Sequence, residues 1–304
     1  MTLDNTQVSQ HLGKTSSYKA TYDKSLLVRE LRQNNRDHLG IQPGKLPFVG
    51  FDVWNAYEVS CLLDSGVPIA AYAKITYPCD NDYIVESKSI KLYLNSFNME
   101  KMGPNFKKAK ETLQEVISRD LTDLLGVTVL VGVYSASVKT GQHNTPTSWQ
   151  LNNSVFPTLE EIVDTSQLTC STYSETPLLL KSQRSSASVV QAFHSALLKS
   201  NCRVTSQPDW GDVYIYMVGK EVVSPASLLE YIISFRNENH FHEEIIETIY
   251  TRLHTLFSPE QLVVYGFYVR RGGIDINPVR ASSQDLINSN ITSLYSGCIQ
   301  TCRQ

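Results

Sequence analysis

Residues 200–212, SNCRVTSQPDWGD, carry a thiol, Cys202, seven positions ahead of a carboxylic acid, Asp209, that stands between Pro208 and Trp210. A cysteine that only fills a core needs no acid at a set distance. A nucleophile does, because thiol attack must be coupled to a proton that moves elsewhere. Held beside Trp210 and partly desolvated, Asp209 would have a raised pKa and could shuttle that proton. An anionic Asp would oppose thiolate formation, so the pair makes best sense exchanging one proton. The stretch CRVTSQ reads as a strand, which puts Cys202 at its start beside the turn-forming SQPDWG. A bland reading stays open, in which Cys202 is a small buried hydrophobe and Asp209 a solvated cap.

Three further clusters bear chemistry. In FHEE, His242 and Glu243 stand where a helix begins, with His240 two residues before. H-x-H with Glu alone lacks the spacing of a zinc site. The cluster is either a helix start with acids favoured by the dipole or a polar constellation that meets a small molecule. In VESKSIK, Glu86 lies at a strand-to-helix turn with Lys88 and Lys91 close behind. Its carboxylate can accept two hydrogen bonds from a guanine-like N–H/NH2 edge, and Lys88 can meet a phosphate; the alternative is an ordinary capped helix. In VRRGGIDINP, Arg271 and the backbone N–H groups around Gly272 suit a phosphate, unless this is merely an exposed hairpin.

The elements that must position these residues form two echoing series. Residues 67–77 and 82–85 read as strands, 87–97 as a short helix, and 104–126 as a longer one, opened by Pro104 and closed by Gly126. In that longer helix Phe106, Ala109, Leu113, Val116, Ile117, Leu121 and Leu124 recur at helical spacing, and a buried strand follows at 127–134. The second series is CRVTSQ and DVYIYMVG as strands, a short helix at 225–235, an amphipathic helix at 240–257 and a strand at 261–270. The short helices align at a shift of 138 residues, sharing Ser89/Ser227, Tyr93/Tyr231, Ser96/Ser234 and Phe97/Phe235. A tandem duplication of an α+β unit follows, with the boundary in the polar, turn-rich stretch 137–167. The expected division is a polar N-terminal extension at 1–45, which wraps a neighbour, a first module at 46–150 and a second at 151–304.

Composition removes several classes of function. Across 304 residues, 27 basic and 30 acidic side chains leave a net charge of −3, which gives no electrostatic case for nucleic acid or an anionic membrane as partner. Hydrophobic content of 41% allows a proper core. The six cysteines are scattered without a C-x-x-C, and no apolar run approaches the roughly 20 residues of a membrane span. The N-terminus lacks the apolar core of a signal peptide, so a soluble, cytoplasmic setting with free thiols is expected. Neither G-x-G-x-x-G after a strand nor G-x-x-x-x-G-K-[ST] occurs, so any nucleotide is not held by a Rossmann or P-loop cradle.

Taken together and in order, ESKSIKLYLNSF, SNCRVTSQPDWGD, SFRNENHFHEE and RRGGIDINP resemble the tandem-domain form of the NADPH-dependent 7-cyano-7-deazaguanine reductase family. FDVWNAYEVSCL and YDKSLLV also match, so the resemblance runs over nearly the whole chain. It implies two tunnelling-fold modules, each an antiparallel sheet with two helices, associating into a barrel, and a homodimer. It implies reduction of a nitrile to a primary amine on the route to queuosine in tRNA, with NADPH as hydride donor twice per turnover and no metal. The substrate would be the small molecule 7-cyano-7-deazaguanine, without direct contact to nucleic acid or membrane. Cys202 matches the nucleophile that forms a covalent thioimide, and Asp209 the acid that relays protons. Ile84, Val85, Glu86, His242 and Glu243 match the substrate-binding positions, and Ser87, Lys88, Arg271 and Gly272 the nicotinamide-nucleotide contacts. Ser224 stands at the Glu86 position of the second repeat, which suggests a site between modules, each half having lost the other's residues. Three rivals remain: a metal-dependent cyclohydrolase on the same fold, for which Cys298 and Cys302 are the only close cysteine pair; a nitrilase-like hydrolase; and a purine- or pterin-binding module with an inert Cys202.

Overall fold

In the 20-residue helix Phe106–Leu125, Ala109, Leu113, Ile117, Leu121 and Leu125 recur every third or fourth position and all are buried. The Asn105 side chain accepts the Lys108 N–H at its start, and Gly126, at φ 70°, closes it in the left-handed region. The same logic recurs through the computed structural model, which describes residues 21–136, 150–151 and 154–290. The principal strands are β1 (Arg29–Leu31), β2 (Val49–Leu62), β3 (Pro68–Pro78), β4 (Tyr83–Val85), β5 (Leu130–Ser135), β6 (Ser182–Asn201), β7 (Pro208–Val223), β8 (Gln261–Tyr268) and β9 (Ile274–Ala281). The principal helices are α1 (Ser87–Asn95), α2 (Phe106–Leu125), α3 (Pro225–Ser234) and α4 (His242–Phe257). Helix and antiparallel sheet are mixed throughout.

The chain forms two compact units. Among the described residues one holds 21–34, 53–136 and 270–276, and the other holds 35–52, 150–151, 154–269 and 277–290. In the first, the strand order is β5, β3, β2 and then the opening residues of β9. Its core gathers Trp54 and Ile75 from the sheet, Tyr93 from α1, and Leu113, Ile117 and Leu121 from α2. In the second, the first residues of β2 are followed by β9, β8, β7 and β6, with β6 at the edge. Helix α4 packs on β8 and β7 and buries Ile245, Ile246, Ile249 and Leu253. β1 and β4 pair in a separate two-stranded sheet, and the order of the described strands does not close on itself.

The aligned helices are built alike atom for atom. Ser89 Oγ donates to the Glu86 carbonyl at 2.7 Å, and Ser227 Oγ to the Ser224 carbonyl at 2.9 Å. The same two hydroxyls accept a backbone N–H from the incoming chain, from Val28 at 3.0 Å and from Lys181 at 3.1 Å. Ser96 and Ser234 donate to the Tyr93 and Tyr231 carbonyls at 2.6 and 2.7 Å. Each tyrosine hydroxyl donates to a carboxylate, Asp120 or Glu175, and each ring meets its phenylalanine edge-on at 5.2 or 5.3 Å. The four identities are therefore the parts of one repeated strand-to-helix joint.

Three sequence expectations need correction. CRVTSQ is not a strand: β6 ends at Asn201 and residues 202–207 connect it to β7. β6 itself escaped notice because its first half is serine-rich, exposed and broken by a register shift between Arg184 and Val189. β9 was hidden by Pro278, which has no N–H to give a ladder; the pairing with β8 accordingly covers Val279, Arg280 and Ala281.

Arg280, in β9, is fully shielded from water. Its guanidinium donates to Asp52 at 2.8 Å, to the Phe51 and Val279 carbonyls, and through Nε and an Nη to Glu247 of α4 at 3.1 and 2.9 Å. Arg36 donates to the same Glu247 carboxylate at 2.9 and 2.8 Å. Replacing Arg280 by methionine leaves the buried Asp52 carboxylate short of its cation, and urea unfolding should show a loss of about 3–5 kcal/mol. A loss below about 1 kcal/mol would mean that the ion network is dispensable.

Candidate functional site

The thiol sits at the mouth of the β6–β7 hairpin. Ser200 pairs with Asp209 and Asn201 with Pro208, so Cys202 is the first residue beyond the last rung. Its N–H donates to the Gln207 carbonyl at 2.8 Å and its carbonyl accepts the Ser206 N–H at 2.9 Å, with Ser206 at φ 54° completing the turn. Cys202 thus follows a strand end rather than opening a strand; it is a free, half-buried thiol. Asp209 is only 4% exposed. What desolvates it is not Trp210 alone: His242, the first residue of α4, brings Nε2 to 3.4 Å from Asp209 Oδ2. The His242 ring lies flat on Tyr268, centroids 3.9 Å apart and planes 6° off parallel. Tyr268 pairs with Gly211 across the ladder, and a Cβ on Gly211 would stand 3.1 Å from the tyrosine ring. The glycine of PDWG therefore makes the space in which Tyr268 and His242 stack. Burial, then the charges of Asp209 and Glu243, push the Tyr268 hydroxyl well above a phenol's usual range. His242 Nδ1 is buried with no hydrogen-bond partner among the described residues, and Ser200 Oγ is in the same condition. Buried polar atoms left open in this way invite a polar ligand. Glu243 is buried in the first turn of α4.

A charged cluster fastens this turn to the entrance of α4. The Asn201 N–H donates to the Glu238 carbonyl at 2.7 Å, and the His240 N–H to the Asn201 carbonyl at 3.2 Å. Arg203 reaches Glu244 at 2.8 Å and lies over the Phe241 ring at 5.2 Å. His240 bridges two carboxylates, Glu244 through Nδ1 and Glu238 through Nε2, each at 3.2 Å. Glu244 Oε2 also accepts the Phe241 N–H at 3.0 Å, a capping-box contact. Of this cluster only His240 stands out in the sequence, and there as a poor zinc ligand; Arg203, Glu238, Glu244 and Tyr268 carry no signal without the strand register.

In the first unit, Ile84 and Val85 are buried on β4, and Glu86 caps α1. Its carboxylate accepts the Lys88 and Ser89 N–H groups at 2.9 and 2.6 Å while remaining 5% exposed. The helix cap therefore exists, and the same carboxylate is of the type that accepts an N–H/NH2 edge. Ser87 and Lys88 are half-buried beside it. The Arg271–Gly272 turn stands near the same helix: Gly272 has φ 59°, and a Cβ there would lie 2.6 Å from Lys91 Nζ. Lys91 otherwise has only a distant carboxylate, Glu58 at 3.9 Å. Two cations at a turn without a Cβ make a cradle for a phosphate. Among the described residues no three His, Cys, Asp or Glu side chains gather as a metal site, and Cys298 and Cys302 lie outside the described residues.

A free thiol on the turn next to the strand pair that holds a buried carboxyl and its imidazole neighbour supplies the group types a thiol-dependent enzyme uses. Comparison with known proteins gives that class its chemistry. Residues 18–133 match the family model described as nitrile reductase, 7-cyano-7-deazaguanine-reductase N-term, and residues 208–286 match the one described as QueF-like protein. The protein named NADPH-dependent 7-cyano-7-deazaguanine reductase from Cupriavidus metallidurans is 43% identical over 272 residues, spanning 89% of this chain and 92% of that one. Its namesake from Legionella pneumophila (strain Paris) is 41% identical over 272 residues, with 89% of each chain covered. The chain belongs to the 7-cyano-7-deazaguanine reductase family. The crystal structure of the archaeosine synthase QueF-Like in the apo form covers 32% of this chain and 95% of its own, at 16% identity and a TM-score of 0.28, too slight a likeness to assign a fold.

Burial works against a charged His240, but the hydrogen bonds with Glu238 and Glu244 outweigh it and raise its pKa to about 9. A raised folded-state pKa contributes stability that is complete below the unfolded value of about 6.5 and lost as pH climbs through the folded one. The melting temperature of the parent should exceed that of His240→Gln most below pH 6.5, with the margin shrinking toward pH 9. A margin that stayed constant across this range would mean that the bridge is not ionic.

Proposed function

We propose that the chain reduces the nitrile of 7-cyano-7-deazaguanine to the primary amine, 7-aminomethyl-7-deazaguanine, through a thioimide on Cys202. The observation that carries the reading is a buried Asp209, backed by His242, one rung from the turn that bears the free, half-buried thiol of Cys202. The curated relatives' name supports the substrate and the hydride donor.

A nitrile carbon is a weak electrophile, and attack builds negative charge on its nitrogen. Cys202 forms the S–C bond while a proton passes to that nitrogen, so the thiol has been added across the triple bond. Asp209 is the group that hands over and takes back protons, and His242, 3.4 Å away and stacked on Tyr268, keeps it oriented in a dry setting. NADPH, when bound, supplies a hydride to the carbon at each of two reductions. Between them the S–C bond breaks, sulfur leaves with its electron pair, and an imine remains to be reduced. The balance is one nitrile, two NADPH and two protons to one amine and two NADP+. Covalent capture keeps the reactive intermediate from water. In the second unit Glu243 suits the N–H/NH2 edge of the base and His242 Nδ1 is an open polar atom for the same ligand; Glu86 is the first unit's carboxylate of the same kind. Ser87, Lys88, Arg271 and Gly272 fit the phosphates and ribose of the nucleotide, with Lys91 close to Gly272 as an added cation.

The same reading includes two modules of the tunnelling fold, a barrel closed by association, a cytoplasmic homodimer and a place in queuosine biosynthesis without direct contact to nucleic acid. The repeated strand-to-helix joint supports the two modules. No helix among the described residues is long and apolar enough to cross a membrane.

Mixed anaerobically with the nitrile and NADPH, the protein should consume two cofactors per amine. Without NADPH, mass spectrometry should find the substrate's mass added to Cys202, and nothing in Cys202→Ala. Asp209→Asn should keep substrate binding while slowing turnover by about 10²–10⁴-fold. Ammonia and a carboxylic acid released without NADPH would replace this reading with hydrolysis.

A further inference from the structure

The turn that carries the sulfur is closed by two backbone hydrogen bonds, Cys202 N–H to Gln207 and Ser206 N–H to Cys202, and the Gln207 N–H also donates to Thr205 Oγ1. Reactive geometry demands more, because a displacement of about 1 Å can cost about a hundredfold in rate. The restraint comes from the residue after the thiol. Arg203 extends to Glu244, in the first turn of the helix that opens with His242 and Glu243, and lies over Phe241 just before it. We propose that Arg203 is a positioning residue, which clamps the Cys202 turn to the start of α4 so that sulfur, Asp209 and His242 keep one mutual geometry.

The cluster around the clamp is balanced. Arg203 and His240 converge on the same Glu244 oxygen, at 2.8 and 3.2 Å, while the other His240 nitrogen takes Glu238. Glu238 is itself fixed, because its carboxylate accepts the Glu175 N–H at 2.9 Å and its carbonyl accepts the Asn201 N–H. On the strand side, Lys199 Nζ donates to the Asn201 side chain at 2.7 Å and to the Arg236 carbonyl at 2.6 Å. The hairpin end is thus gripped before the thiol by Lys199 and after it by Arg203. Arg203 is held by Glu244, the Phe241 ring and His240, and its effect on the reaction runs through the backbone of its neighbour Cys202.

This inference rests on the proposed reaction only for its second readout. The variants are Arg203→Met, which keeps the aliphatic stem, Glu244→Gln, which keeps an acceptor for the Phe241 N–H, and the pair combined. Hydrogen exchange should show the Cys202 and Ser206 amides opening about tenfold faster in each single variant and no faster in the double, while β8 amides stay protected. Arg203→Lys should recover part of the protection. Adduct formation on Cys202 should slow by about tenfold or more in Arg203→Met, with the affinity for the nitrile, measured in a Cys202→Ala background, held within about threefold. Unchanged exchange in the single variants, added effects in the double, or an undiminished adduct rate would overturn the clamp. A parent that forms no adduct at all would sink the proposed reaction instead, and the exchange data would then decide alone whether Arg203 holds the turn.

Discussion

A guanidinium with no access to water has to find its counter-charges inside the protein, and Arg280 finds them in Asp52 and Glu247. That requirement fixes more than a local contact. Glu247 stands in the second turn of α4, so its grip sets how far the helix advances and how it is rotated on β8 and β7. His242, five residues earlier on the same rigid helix, is delivered to Asp209 and Tyr268 as a consequence. Glu243 and Glu244 follow with it. The ion network lies deep and takes no part in chemistry, yet the acid, the imidazole and the thiol-bearing turn meet only because the helix start is where it is.

On the proposed reading, one carboxylate serves folding and recognition together. Glu86 satisfies two N–H groups that the start of α1 would otherwise leave open. Its backbone neighbours are pinned by Ser89, and the equivalent joint in the second unit, with Ser224 at the cap position, does without a side-chain cap bond. An acid is therefore not needed to start such a helix. Its presence at one of two otherwise matching joints is the mark of a second duty.

Much of this was legible from residue order. Helical period, Pro104 and Gly126 gave α2 within two residues at its start and one at its end, and four shared residues marked a joint whose serine and tyrosine hydrogen bonds recur in both units. The thiol and acid stood out because a cysteine that only fills a core needs no acid at a set distance. What stayed hidden had a physical cause each time. β6 lacks hydrophobic alternation because its first half faces solvent, and β9 carries a proline that sequence rules keep out of strands. Tyr268 and Arg203 gain meaning only from partners about 60 and 40 residues away, which periodicity does not reveal.

The route of the chain has a consequence for synthesis. After β8 the polypeptide leaves the unit it has been building, contributes 270–276 to the other, and then returns with 277–290. The earlier-made unit consequently waits, with a vacant sheet edge, until nearly nine-tenths of the protein has left the ribosome; at about 5–20 residues per second that interval lasts many seconds. Neither unit is finished long before the other. A ribosome stalled midway would release an incomplete sheet rather than a folded half, and quality control would see the product as all or nothing.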